Sequence, residues 1–490
     1  MPDGENFLPQ RNSGRAAARL ARWEACHGAT MTDPRLADLV RRAPDTRLLT
    51  DASDLEHYGR DWTRRWTPAP LAIALPSTAD DVQAIVRWAR EHRVAIVPSG
   101  GRTGLSGGAV AANGELVVAF DRMNQVLGFD PVDATLTVGP GIALEAVQNA
   151  AREHGLAYPV DFAARGSCSI GGNIATNAGG IRVIRYGLTR PWVAGLKFVT
   201  GTGELLELNR GLVKNASGYD LRHLVIGSEG TLGMVVEAML WLAPPPPPTQ
   251  VMLLAVPALD ALMRVFAVAR VKMQLEAFEF FTDRALEHVL AQGAQAPFEE
   301  PSSYYVVAEF DAGDEASQSA ALEMFEACLE AGWVTDGVIS SSDAQAASLW
   351  RLREGITESL ARYKPYKNDI SVRIGAVPAF MADMHALLAR EYPAFDVVWF
   401  GHIGDGNLHI NVLKPDGVDQ ESFVAQCEVV TKHLAAMLHK HGGSISAEHG
   451  IGLVKKPYLE GTRSSEEIAL MRGIKAVLDP DGIMNPGKVF

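Results

Sequence analysis

Cysteine is scarce: Cys26, Cys168, Cys328 and Cys427 are the only four in 490 residues, widely scattered and without a C-x-x-C spacing. That excludes a disulfide framework, an iron–sulfur run and a haem-attachment motif, and a reducing cytoplasm is the compartment expected. No apolar run approaches the ~20 residues that a bilayer-spanning helix needs, so an integral membrane protein is not expected. Positive charge is not in excess either, since 45 Lys and Arg face 58 Asp and Glu for a net charge of −13. No basic stretch interleaves with aromatics, which removes nucleic acid as a partner. A GxxxxGK[ST] loop is absent, so a P-loop nucleotide site is excluded.

What is present is an ordinary globular balance, 47% apolar and 21% charged residues, in a chain too long for a single core. Residues 1–30 read as a leader, with Arg15–Trp23 either a short helix or unstructured. Residues 31–67 show Leu36, Leu39, Val40, Leu48, Leu49 and Leu55 in a pattern of short helices. A larger block follows at 68–245, opening with a β-α-β unit: Leu71–Leu75, a helix over Ala79–His92 capped from Ser77 or Thr78, and Ala95–Val97. Five consecutive prolines, Pro244–Pro248, make a stiff extended spacer and a boundary. Beyond it, strands and amphipathic helices alternate through 246–455, as in an α+β domain with helices on one face of its sheet. Residues 456–490 form a separate terminal segment.

Three glycine- and hydroxyl-rich stretches stand out in the second block. The first is Pro98-Ser99-Gly100-Gly101-Arg102-Thr103-Gly104-Leu105-Ser106-Gly107-Gly108 and the second runs from Gly166 to Gly180. The third runs from Ser217 through Gly227-Ser228-Glu229-Gly230-Thr231-Leu232-Gly233. Free N–H groups along such loops form anion-binding nests, and glycine lets backbone approach a ligand closely. A strand, not a helix, follows the first stretch, so it is no Rossmann fingerprint. Together the three suit a long ligand with a planar part, cradled by backbone.

The chemistry concentrates in VVWFGHIGDGNLHINV, Val397–Val412. Asp405-Gly406 favours a two-residue hairpin turn, which sets His402 opposite His409 with Asn411 on the same face. Some way on, Ser446-Ala447-Glu448-His449-Gly450 adds a carboxylate and a third imidazole. His402, His409 and Glu448 make a catalytic-type zinc set with an open position, and His449 is left over for proton transfer. Adjacent Glu448 and His449 diverge in an ideal strand, so the chain must bend near Gly450.

The spellings GSCSIGGNIATNAGG, KNASGYDLRHLVIGSEGTLG and LDPDGIMNPGKVF resemble the D-2-hydroxyacid dehydrogenase branch of the vanillyl-alcohol-oxidase superfamily, over about Pro68 to Phe490. The resemblance implies an α+β fold: a PCMH-type FAD-binding domain of two α/β subdomains, and a ferredoxin-like substrate cap with an antiparallel sheet. It implies non-covalent FAD held by Pro98, Ser99, Gly100, Gly101, Arg102, Thr103, Gly104, Ser106, Ser169, Gly171, Gly172, Asn173, Thr176, Asn177, Gly179, Gly180 and Gly230, with a terminal tail bearing Asn485 against the isoalloxazine. Cys168 is read as a packing residue, not a flavin tether. The same resemblance gives His402, His409 and Glu448 to Zn2+ (or Mn2+) and makes His449 the base. It places Arg353, Thr357 and Lys367 round the substrate carboxylate, with Asn411 reaching in from the hairpin.

The implied reaction is dehydrogenation of a D-2-hydroxy acid. D-2-hydroxyglutarate is favoured on the Lys367-Asn368-Asp369-Ile370-Ser371 spelling, Asn411 and the unusual Arg373, with D-lactate or glycolate as the alternative. An oxygen-using oxidase is disfavoured by the metal set. With no nicotinamide, haem or iron–sulfur motif, electrons must leave to an external acceptor, which in related enzymes is an electron-transfer flavoprotein, a quinone or a cytochrome. A homodimer is compatible with all of this.

Overall fold

A computed structural model describes residues 33–490; the leader at 1–30 and its Arg15–Trp23 segment lie outside the described residues. Three sheets carry the chain. In the first, Ala72–Leu75, Leu116–Ala119 and Ile96–Ser99 run parallel, with Arg47–Leu49 added antiparallel at the edge. The parallel strands are short, almost wholly apolar and buried, as strands covered on both faces must be. Leu48 and Leu49, expected in a helix, belong to that edge strand because their side chains complete the core beside Ile73 and Ala74.

The Ala79–His92 helix is started by a reciprocal cap. Asp81 N donates to Thr78 Oγ1 and Thr78 N donates to Asp81 Oδ2, each at 3.1 Å. Its Val82, Ile85, Val86 and Trp88 are buried at helical spacing. The second sheet has five antiparallel strands, ordered Val126–Asp130, Thr135–Val138, Gly233–Trp241, Val193–Thr200 and Leu205–Leu208. The glycine stretches emerge between these two sheets.

Seven strands build the third sheet, in the order Asp336–Ile339, Thr249–Val256, Tyr304–Asp311, Leu275–Thr282, Val397–Gly401, Asn407–Val412, Tyr366–Ser371. All its pairs are antiparallel. Helices cover both faces, not one. On one face, Met252, Leu254, Phe278, Phe280, Trp399, Leu408 and Ile410 meet Leu262, Val265, Met324, Phe380 and Phe423 from four helices. On the other face, Leu253, Ala255, Phe281, Tyr305, Val398 and Phe400 meet Leu286 and Val289 of Asp283–Leu290, and Leu349, Leu352 and Ile356 of Asp343–Leu360.

That second face changes character along its width. At the end formed by Leu275–Thr282 and the last three strands, its residues are polar: Glu279, His402, His409, Asn411, Asp369 and Lys367. No helix apolar face covers them, and they look toward the glycine loops instead.

The hairpin differs from expectation in register. His409 pairs with Phe400, and the connection runs through Ile403–Gly406, with Asn407 N donating to His402 O at 3.2 Å. The tip docks sideways, Gly404 N donating to Phe278 O at 3.0 Å and Asn407 N to Asp405 Oδ1 at 3.0 Å, which favours the wider connection over a two-residue turn. The slip is two residues. Because side chains alternate with period 2, an even slip leaves both histidines on the same face.

The first two glycine loops pack closely on each other. A Cβ on Gly101 would run into the Ser167 carbonyl, which is backbone and cannot turn away. Gly101→Ala is therefore expected to lower stability by about 1–3 kcal/mol through overpacking, measured by urea unfolding of the flavin-loaded protein.

Candidate active site

Between the glycine loops and the polar end of the large sheet lies a cavity of about 750 Å³. All the predicted cofactor residues from Pro98 to Ser106 line it, as do Ser169, Gly171, Gly172, Asn173, Thr176, Gly179, Gly180 and Gly230. Ser169 joins two of the loops: it caps the Ile170–Thr176 helix, accepting from Gly172 N at 3.3 Å, and accepts from Gly101 N at 3.2 Å. Arg102 contributes backbone more than charge. Its guanidinium is committed to Asp121 at 3.1 Å, to the Gly100 carbonyl at 2.7 Å and to the Tyr58 ring.

Two expected residues do not reach the cavity. Asn177 ends its helix in the left-handed region, φ 50°, and its Oδ1 accepts from Arg190 N at 2.9 Å. Asn485 lies one layer behind, its Nδ2 donating to Gly108 O at 2.9 Å and Glu229 O at 2.8 Å. The tail around it joins the first sheet, where Met484 bridges to Ile96. The Ser217–Leu221 part of the third stretch is surface, with Tyr219 97% exposed; Val225, Ser228–Gly230 and Gly233 face the cavity. Cys168 lines the cavity but is buried, and burial pushes its thiol up, away from the nucleophilic form.

The cradle has unused polar capacity. Ser99 Oγ and Asn173 Nδ2, both on the cavity wall, are buried without a partner in the protein, and buried groups of that kind are normally satisfied. A nucleotide with a diphosphate and a planar ring offers both acceptors and packing, so the residues fit FAD.

The opposite wall carries the predicted chemistry. Arg353 and Thr357 sit one turn apart on the Asp343–Leu360 helix and line the cavity with Lys367 and Asn411. Arg353 is buried, its Nη2 2.8 Å from Glu279 Oε2 and its guanidinium 4.8 Å above the Phe400 ring. Glu279 also takes His402 Nδ1 at 2.8 Å, leaving His402 Nε2 3.3 Å from Glu448 Oε1. The His402 and His409 ring centroids are 5.3 Å apart. Arg373, in contrast, is exposed and is not part of the cavity wall.

Asp369 is the residue that sequence reasoning passed over. It is 2% exposed and opposite His409 across the strand pair. Its Oδ2 lies 3.2 Å from His449 Nδ1 and 3.2 Å from Lys455 Nζ, and accepts from Glu448 N at 3.2 Å; Oδ1 accepts from Asn407 Nδ2 at 2.9 Å. The only sequence signal was alternation: Lys367 and Asp369 share a face of one strand. Glu279 and Glu229 were missed for a different reason, since each meets its partners only through the tertiary fold.

Burial and charge set the protonation pattern. Burial raises Asp369, but His449, Lys455 and His409 outweigh it and hold the carboxyl well below the usual range. Burial and the neighbouring His402 push His409 well below its ordinary value. His449 is lowered by burial against the opposing pull of Asp369. For His402, burial is overcome by Glu279 and Glu448, and the ring rises to about 9, while burial lifts Glu448 to about 7 despite His402.

Among the described residues no three His, Cys, Asp or Glu side chains close round one point as a finished cage. The donor types nevertheless fit a divalent metal. His402 Nε2 and Glu448 Oε1 are spaced like two ligands each ~2.0–2.2 Å from one ion. Carboxylates hold the other nitrogen of His402 and approach His409 Nδ1 at 3.8 Å, as outer partners of metal-bound imidazoles do.

A dinucleotide cradle facing cations, imidazoles and a carboxylate is the layout of an FAD-dependent oxidoreductase for a small acid. Residues 70–209 match the FAD binding domain, and residues 245–489 match the C-terminal domain of FAD linked oxidases. The chain is 72% identical over 460 residues to a D-2-hydroxyglutarate dehydrogenase of Xanthomonas citri pv. viticola, covering 94% of this chain and 98% of that protein. It is 37% identical to the mitochondrial D-2-hydroxyglutarate dehydrogenase of Bos taurus, over 94% of this chain and 84% of that one. Among solved structures, 4-ethylphenol oxidase from Gulosibacter chungangensis superposes with a TM-score of 0.71 at 17% identity, covering 99% of this chain and 98% of that one, a likeness of fold. The chain thus belongs to the FAD-linked oxidase family with the PCMH-type fold, in the branch of the D-2-hydroxyglutarate dehydrogenases.

Asp369→Asn keeps the shape but removes the charge that Lys455 and His449 face. Turnover is expected to fall by roughly 10–100-fold while the bound-flavin absorbance spectrum is unchanged, read by steady-state kinetics and absorbance on one preparation.

Proposed function

We propose that this protein oxidises D-2-hydroxyglutarate to 2-oxoglutarate and passes the electrons to an external acceptor. The observation that carries the reading is the polar end of the large sheet, where a carboxylate-binding set and an imidazole base face the glycine cradle across one cavity. The name of the 72%-identical Xanthomonas protein supports the five-carbon diacid as substrate.

Arg353, Thr357 and Lys367 bind substrate carboxylate, and Asn411 adds a neutral donor beside them. His402, His409 and Glu448 would hold a divalent metal, Zn2+ or Mn2+, which when bound supplies a Lewis acid for the 2-hydroxyl. His449 accepts the hydroxyl proton: its Nδ1 is turned to Asp369, leaving Nε2 as the basic nitrogen. Bound FAD supplies the acceptor for the hydride from C2. Glu279 keeps Arg353 and His402 in fixed orientations, so both are preorganised before substrate arrives.

The division into a helical segment at 31–67, a flavin domain at 68–245, a cap at 246–455 and a returning tail at 456–490 is part of the same reading. So are a cytoplasmic location, an electron-transfer flavoprotein, quinone or cytochrome as acceptor, and a homodimeric assembly. No helix of the described residues is long and apolar enough to cross a membrane.

Anaerobic D-2-hydroxyglutarate is expected to bleach the flavin, with kcat/KM above that for D-lactate or glycolate by about 10-fold or more; faster bleaching by either alternative would reassign the substrate. His402→Ala is expected to lose metal by elemental analysis along with activity. His449→Ala should keep metal and flavin but lose turnover by roughly 100-fold or more. The base works only when neutral, and burial lowers its pKa from the ordinary 6.5. Hence kcat should hold as pH falls to 6.5 and decline only below it, in a kcat–pH profile.

A further inference from the structure

His449 ends a bend over Ala447–His449, outside any helix or strand and just before the turn that begins at Gly452. Its position must therefore come from other parts of the chain. One tether is Ser106 of the first glycine stretch: its Oγ donates to His449 O at 2.7 Å, and its carbonyl accepts from Leu453 N at 2.8 Å and Val454 N at 3.0 Å. The other is Glu229 of the third. Its Oε1 accepts from Ile451 N at 2.7 Å and its Oε2 from Gly452 N at 2.8 Å, so one carboxylate grips two successive amides just after the base. Gly450, at φ +76°, presses on that carboxylate so closely that a Cβ there would lie 2.8 Å from Glu229 Cδ.

The backbone of Glu229 is itself held from two sides. Its N donates to Ala175 O at 2.8 Å in the second stretch, and its carbonyl accepts from Asn485 Nδ2, which also binds Gly108 O in the first. Its own backbone is left-handed, φ 51°, a conformation that non-glycine residues rarely adopt and that concentrates at functional sites. A buried carboxylate in that conformation is a poor choice for mere packing. Apolar side chains fill such space without the desolvation that an acid incurs.

We propose that Glu229 is a positioning residue for His449, coupling the placement of the base to the closed arrangement of the flavin cradle. The inference rests on His449 being the base in the function proposed above. Glu229→Gln keeps the size and one acceptor but sets an NH2 against one of the two amides. In the FAD- and metal-loaded enzyme, this variant is expected to lower the rate of flavin reduction by about 10- to 100-fold. KM should stay within about twofold, and flavin and metal content should match the parent by absorbance and elemental analysis.

The decisive comparison is the same change in a His449→Ala background. With the base gone, Glu229→Gln should cost no more than about twofold further. An undiminished second loss there, an unchanged rate in the single variant, or loss of flavin and metal together with rate would each overturn the proposal. If Glu229→Gln does not fold, Ser106→Ala loosens the same turn from its other side and is carried through the same cycle at saturating FAD, because Ser106 also lines the cofactor cavity, with the same expectations for the rate of flavin reduction. Should His449→Ala alone leave turnover intact, the functional reading fails; should it abolish turnover while neither tether matters, only this inference fails.

Discussion

A single buried anion underlies the working face of this molecule. Asp369, nearly without solvent, stays ionised because a lysine ammonium, two imidazoles, a side-chain amide and backbone N–H groups all point at it. Removing any one of these leaves part of a buried charge unanswered, which is why such clusters tend to be kept complete. The arrangement orders the site in both directions. Upward, Asp369 fixes the ring orientation of His449; sideways, it approaches His409, its partner across the strands. Lys455, which lies on the segment after the base, is drawn into the sheet by the same charge.

Glu279 plays the matching part on the next strands. One oxygen takes Arg353 and the other takes His402, so a helix residue and a hairpin residue are set at a fixed separation by one side chain. The cap therefore presents a rigid wall, whereas the cradle opposite is made of loops whose glycines let backbone meet backbone. The large apolar core lies on the far side of the sheet, and the polar end of the near side forms one wall of the cavity.

Much of this was legible beforehand, and the reasons are physical. Glycine-rich stretches and the His402, His409, Glu448 and His449 constellation are local patterns, and local patterns survive errors of detail. The hairpin turn was misjudged by two residues, yet both histidines stayed on one face because strand geometry repeats every two. Helices on both faces of the cap sheet went unseen, since periodicity tells that a helix has an apolar side but not which side of a sheet receives it. Asn177 and Asn485 were expected at the ligand from the family resemblance; Asn177 ends a helix and Asn485 braces two loops from behind the cavity wall. Asp369, Glu279 and Glu229 were hidden because an acid in a strand or loop reads as surface until its distant partners are known.

The tail brace has a bearing on how the molecule is assembled. Asn485 ties Gly108 across 377 positions of chain, and Met484 extends the same early sheet beside Ile96. Joining positions so far apart in the chain carries a loop-closure cost that grows only slowly with length, so a brace of this span is thermodynamically tolerated. The first sheet and the loop at Gly108 are therefore complete only when residues 484 and 485 are in place, and the chain's last residues are structural members of its earliest sheet.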